Sequence, residues 1–149
     1  MRAVIQRVRS ASVQINQGEV RSIGPGLVIF LGVGDIDTLD IVPKLAEKCA
    51  GLRIFVDEQG KMSRSAVDCG YGALVISNFT LHASTKKGKR PSFAHAANPE
   101  FAKQAYDLFV QQMEQQGLAE LQQGEFGADM QVQLHNDGPV TIIVDTDEW

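Results

Sequence analysis

Polar and apolar residues alternate over residues 2–9 (RAVIQRVR), with Ala3, Ile5 and Val8 on one side, which predicts a strand with one solvated face. The segments 11–16 and 19–23 read as a hairpin around Asn16, Gln17, Gly18 and Glu19, and Gly24-Pro25-Gly26 reads as a turn. At 27–33 the alternation gives way to a continuous apolar run within GLVIFLGVG, residues 26–34. Spanning a bilayer takes about 20 apolar residues, so this run predicts a buried strand. Helical spacing first appears at Val42, Leu45, Ala46 and Cys49. Thr38 or Asp40 could cap that helix. Asp40 is preferred, because Pro43 then falls in the first turn, where its missing N–H costs little, and Gly51 lies near the end. Residues 52–56 (LRIFV) predict a strand and 57–60 a turn.

The second half reads in the same way. Residues 73–81 (ALVISNFTL) predict a strand running into a polar end, and His82–Asn98, without a period and rich in Lys, Gly and Pro, predicts a loop. The clearest helix follows: Asn98 caps it, Pro99 sits at N1, Glu100 faces the positive end and Gly117 closes it. Phe101, Ala105, Leu108, Phe109 and Met113 form its core-facing stripe. Segments 119–124, 129–135 and 140–145 predict strands, with a turn at 136–139. Strands outnumber helices and many neighbours are joined by short turns. The expected fold is α+β: one domain, 1–149, with a curved, largely antiparallel sheet or barrel and two main helices packed on it.

Composition narrows the class. The chain has 149 residues, 44% hydrophobic and 21% charged, as expected of one globular domain. Arg2, Arg7 and Arg9 interrupt the first residues and no apolar core follows them, so no signal peptide is expected. Cys49 and Cys69 form no CxxC pair and read as free buried thiols in a reducing cytosol; the expected compartment is cytoplasmic, with no membrane contact. A net charge of −4 argues against tracking a long duplex. Lys86, Lys87, Lys89 and Arg90 nevertheless crowd five positions and suit a local phosphate contact; otherwise they form a solvated surface loop.

Catalytic signatures are sparse. There is no GxxxxGK[ST] loop, no GxSxG elbow and no HExxH. GVGD at 32–35 lacks the third glycine of a dinucleotide site and reads as a plain turn. His82, His95 and His135 have no metal-ligand spacing, so no metal is expected. Spacing leaves a Ser–His–Asp triad open, but no serine sits in an elbow. Two segments remain. Ser77, Asn78, Phe79, Thr80 and Leu81 end a strand in hydroxyls, an amide and free N–H groups, which suits either an oxyanion pocket or a self-satisfied strand end. Asn136-Asp137-Gly138-Pro139-Val140-Thr141 reads as a structural turn or, with a cis Gly138–Pro139 bond, as a rigid corner whose carbonyls point outward together and suit an ammonium group.

These two segments resemble the SQFTL and NxGPVT signatures of the D-aminoacyl-tRNA deacylases. IQRV at 5–8, LRIF at 52–55, RPSF at 90–93 and ADMQV at 128–132 extend the resemblance along the chain in register. It implies a homodimeric hydrolase that uses no cofactor and cleaves the ester of a D-amino acid, or of glycine, on tRNA. Ser77, Asn78, Phe79 and Thr80 would form the catalytic pocket. Gly138 and Pro139, with Asn136, Arg7 and Met130, would bind the substrate, the corner entering the partner subunit's site and Arg7 bracing it. An L side chain would clash with the Gly-Pro main chain, so selectivity would come from rejection. The 2′-hydroxyl of the terminal adenosine would help activate water, and N–H groups around Phe79 and Thr80 would hold the oxyanion. Lys86, Lys87, Lys89 and Arg90 would meet acceptor-end phosphates. The chain departs from the signature at Asn78, where the family has Gln: the amide stays and one methylene of reach is lost. Two other readings are a non-catalytic nucleic-acid-binding module using the basic loop, and an esterase with Thr80 as nucleophile.

Overall fold

The computed structural model describes residues 1–149. Its first element is a 14-residue strand, β1 (Arg2–Ile15), which runs unbroken through the predicted first strand and first arm of the hairpin. A bulge reconciles it with the apolar pattern. Three residues of β1, Val8 to Ala11, advance against two of its partner strand. The extra residue shifts the period-2 alternation by one. Before the bulge Ala3 and Ile5 face the larger core; after it Ala11, Val13 and Ile15 face a smaller one on the other side. The hairpin turn lies where expected, with Asn16 and Gln17 at φ 47° and 59°, and leads into β2 (Val20–Ile23).

β3 (Gly26–Gly32) and β6 (Gly72–Ser77) are buried on both faces, which is why both read as continuous apolar runs. Leu27, Ile29, Leu31, Ala73 and Val75 point to the larger core, while Val28, Leu74 and Ile76 point to the smaller. The path β2-β1-β3-β6-β7 (β7, Leu121–Gln123) is joined at β1 by β8 (Met130–Asp145). β1 is antiparallel to β2, β3 and β8, whereas β3–β6 and β6–β7 are parallel, so the curved, barrel-like sheet is mixed. Arg21, on β2, reaches the Gln123 carbonyl at the end of β7 (2.8 Å) and nearly closes the barrel.

The two main helices, α1 (Val42–Ala50) and α3 (Pro99–Glu114), cover the larger core. α3 begins as expected: the Asn98 side chain accepts from Phe101 N–H at 3.0 Å. It ends before Gly117, and its fully buried face is Ala105, Phe109 and Met113 with Ala102, Tyr106 and Val110; Phe101 and Leu108 only flank the core. α1 has no side-chain cap. Asp40 lies inside a single 3-10 turn, Leu39–Ile41, that feeds the helix directly.

Three expectations need correction. The strand over 52–56 shrinks to β4 (Phe55–Val56), paired with β5 (Met62–Arg64). A four-residue helix, α2 (Ala66–Cys69), was not expected, although Ser65 and Asp68 form a reciprocal capping box and Gly70 closes it in the left-handed conformation. The turn at 136–139 does not separate two strands. β8 keeps β1 as its partner on both sides, and 137–140 bulge out opposite the single Arg7. Cys49 is buried, which pushes its thiol up to about 12; Cys69 is half-buried, and both are free. No helix is long and apolar enough to cross a membrane.

Candidate active site

The strand expected over 73–81 stops at Ser77, and Asn78 is the reason. Its backbone is extended (φ −148°, ψ 90°), and its side-chain oxygen accepts from Thr80 N–H at 3.2 Å and from the Thr80 hydroxyl at 2.5 Å. This local cap starts a 3-10 turn, Phe79–His82. The turn is pinned at both ends. Asn78 N–H donates to Leu31 O at 2.8 Å, and Arg2 Nη1 donates to Leu81 O at 2.7 Å while Arg2 is itself held by Asp145.

Beside the turn lies a cavity of about 440 Å³. Ser77, Asn78 and Phe79 form one side, Ala102 of α3 another, and Phe126 and Met130 a third. Its remaining lining is alanine, glycine and proline, so no carboxylate, imidazole or amine faces it. Of the two N–H donors expected for an oxyanion, that of Thr80 is engaged by Asn78. Ala102 and Phe126 were not singled out in the sequence; small and aromatic residues at core-like spacing carry no chemical signature.

Gly138, Pro139, Asn136 and Arg7 come together elsewhere. Arg7 Nε donates to Asp137 O at 3.1 Å, the Asn136 amide donates to the Arg7 and Val140 carbonyls at 3.0 Å each, and Arg9 Nε meets the Asp137 carboxylate at 3.0 Å. The Arg9 hydrogen bond and the positive charges of Arg7 and Arg9 hold the Asp137 carboxyl below the usual carboxylate range. The Gly138–Pro139 peptide is cis, with Gly138 at φ +132°. Both residues are exposed, and neither lines the Phe79 cavity. Within one chain the structure therefore gathers the expected residues into two separate groups, with Met130 in the first.

The segment 82–98 is more ordered than a plain loop. Ser84 and Ser92 exchange two backbone hydrogen bonds (2.8 and 2.9 Å), making an arm whose tip carries Lys86, Lys87, Lys89 and Arg90. All four are exposed and none makes an ion pair. His82 lies outside the Phe79 cavity; with Arg2, Asp37, Lys86 and His95 it borders a more polar hollow of about 660 Å³.

A family model described as D-Tyr-tRNA(Tyr) deacylase matches residues 4–145. The chain belongs to the D-Tyr-tRNA(Tyr) deacylase family. It is 51% identical to a D-aminoacyl-tRNA deacylase of Desulfotalea psychrophila, over 99% of each chain. It is 52% identical to one of Chloroflexus aurantiacus, over 99% of this chain and 92% of that one. Among solved structures it resembles the c-Myc DNA Unwinding Element Binding Protein (TM-score 0.91, 40% identity, 98% and 99% covered). A probable eukaryotic D-amino acid tRNA deacylase shares the fold (TM-score 0.84) at 13% identity, with 96% and 97% covered. As a member of the D-Tyr-tRNA(Tyr) deacylase family the chain is a hydrolase.

Proposed function

We propose that this chain is a cytoplasmic D-aminoacyl-tRNA deacylase, which hydrolyses the ester between a D-amino acid, or glycine, and the terminal adenosine of tRNA. The observation that carries the reading is the cavity beside Phe79. It is apolar, bounded by a pinned turn of N–H groups, and devoid of any side chain that titrates near neutral pH. A hydrolase with such a site must take its proton acceptor from the substrate. The adenosine 2′-hydroxyl adjoins the ester and acts as a relay: it takes a proton from the attacking water as it gives its own to the departing 3′-oxygen. Phe79 N–H is the donor for the oxyanion, since Asn78 already occupies Thr80. Ser77, Phe79 and Met130 shape the pocket around the adenosine.

Chirality is read by the Gly138–Pro139 corner of a second copy of the chain. Three observations support this: the corner is exposed, it lies outside its own cavity, and β8 pairs only with β1, which leaves its other edge open for a partner. The corner's carbonyls receive the α-ammonium, Arg7 and Asn136 brace it, and its main chain occupies the space an L side chain would need. Main-chain atoms cannot rotate out of the way, and a clash of about 4 kcal/mol gives a thousandfold preference. Lys86, Lys87, Lys89 and Arg90 take acceptor-end phosphates.

A Thr80 nucleophile finds no support, because the only partner of its hydroxyl is an amide oxygen that cannot accept a proton at neutral pH. Nor does a DNA-binding role, despite the name of the 40%-identical neighbour: the net charge is −4 and the basic residues form a single short cluster. The test is deacylation of matched D- and L-tyrosyl-tRNA, with glycyl-tRNA as a third substrate. Rapid release of D-tyrosine and glycine with survival of the L-ester is expected; equal rates for both enantiomers would overturn the reading.

A further inference from the structure

Phe79 has a second face. Phe79 is 57% exposed, and Phe93, 39% exposed, sets its ring edge against that of Phe79 with centroids 5.0 Å apart and planes at 67°. Phe79 lines the cavity and Phe93 does not, so the pair stands beside the cavity rather than inside it. Leaving two adjoining rings in water forfeits the gain from burying them, and nothing else in the chain covers them. Phe93 directly follows Ser92, the base of the arm that carries Lys86, Lys87, Lys89 and Arg90. Exposed aromatic faces next to four unpaired cations, on a chain of net charge −4, are the chemistry of a single-stranded nucleic acid site: rings stack bases and cations take phosphates. An acidic peptide would use the cations and leave the rings idle.

We infer that the Phe79–Phe93 pair is a stacking subsite for the second nucleobase of the unpaired tRNA end, the one preceding the terminal adenosine, with the arm's cations on the adjoining phosphates. The inference rests on the deacylase reading, which puts the terminal nucleotide and its ester in the cavity. The next nucleotide along the strand is then the first whose base lies outside and beside it. Phe93 is a substrate-positioning residue by this account, although neither its position in a loop nor its RPSF context marks it as one.

The experiment compares three D-tyrosyl esters: of adenosine, of a cytidylyl-adenosine dinucleotide, and of the same dinucleotide lacking the cytosine base. Stacking makes kcat/KM for the full dinucleotide about tenfold higher than for the abasic one. In Phe93→Ala that ratio falls to near one, whereas Phe93→Tyr and Phe93→Trp keep it. Each ratio is read within one protein, so partial misfolding of a variant cancels. Cleavage of all three esters with no advantage for the base, or an advantage that survives in Phe93→Ala, overturns the subsite and leaves the deacylase standing. Failure to cleave any of the esters or D-tyrosyl-tRNA overturns the deacylase reading and the subsite with it.

Discussion

The Ser77–Thr80 turn and the Gly138–Pro139 corner are both places where a strand's regular pairing is interrupted, yet they face opposite ways. The turn ends a strand buried on both faces, so its polar groups border a cavity within their own chain. The corner bulges from β8, the strand that pairs with β1 alone, and its exposed main chain is held from behind by Arg7 and Asn136. An interior strand end makes a pocket; a braced bulge on an outer strand makes a probe. One copy of the chain supplies both and does not bring them together, which is the physical basis for proposing that two copies complete the site.

The comparison breaks most severely at Gly138. A Cβ there would lie 2.8–2.9 Å from Val140 and 3.0 Å from Arg7 Nη2, at a φ of +132° that L residues rarely adopt. Gly138→Ala is expected to lower kcat/KM on D-tyrosyl-tRNA by about 100-fold, equivalent to roughly 2.7 kcal/mol of lost positioning. The clash and the strained φ should lower Tm as well, while the Phe79 cavity, which Gly138 does not line, keeps its shape. Gly32→Ala attacks the other half. Its Cβ would meet Leu81 Cβ at 2.9 Å and Asn78 O at 3.0 Å, directly behind the turn. Overpacking of this kind costs about 1–3 kcal/mol, so a lower Tm is expected here too, with activity lost through a displaced turn beside the cavity instead of a displaced corner.

Smaller effects sharpen the contrast. Tyr106 donates its buried hydroxyl to Val75 O at 3.0 Å, tying α3 to the strand that carries the turn. Tyr106→Phe should cost about 1 kcal/mol by denaturant unfolding, with D over L selectivity intact. With no titrating side chain in the cavity, kcat should show no enzyme-derived inflection between about pH 5 and 8 once uncatalysed ester hydrolysis is subtracted. Asp137 bears on the corner at lower pH. Its folded pKa is depressed, so its pairing with Arg7 and Arg9 contributes above the ordinary carboxylate value and is lost as pH falls through the lower folded value. Acid loss of activity below about pH 4 should therefore be shallower in Asp137→Asn.

How much of this the sequence disclosed depended on whether a feature was local. Asn98, Pro99 and the apolar run at 26–34 carry their own signals, and α3 and β3 lie where those signals put them. The β1 bulge was hidden because Val8 and Ala11 look like one imperfect alternation; only pairing with β8 shows that an extra residue between them puts both on the same face, against the smaller core. β8 was split for the mirror-image reason, since Asn136-Asp137-Gly138-Pro139 has turn composition, and only β1 on both sides makes it a bulge. At the site, the motif residues were legible through resemblance. Asn78's role as a cap on Thr80 was not, because the same amide could equally have faced the substrate. Ala102 and Phe126 line the cavity, and Phe93 meets Phe79, only through tertiary packing.

Subunit complementation tests the two-copy site most directly. Phe79→Ala damages the cavity and Gly138→Ala the corner, so each homodimer should be nearly inactive. Refolded together in equal amounts, half the dimers are mixed, and each mixed dimer owns one intact cavity facing one intact corner, giving about a quarter of the wild-type rate with D selectivity. A mixture no more active than the sum of its two parents would contradict the account.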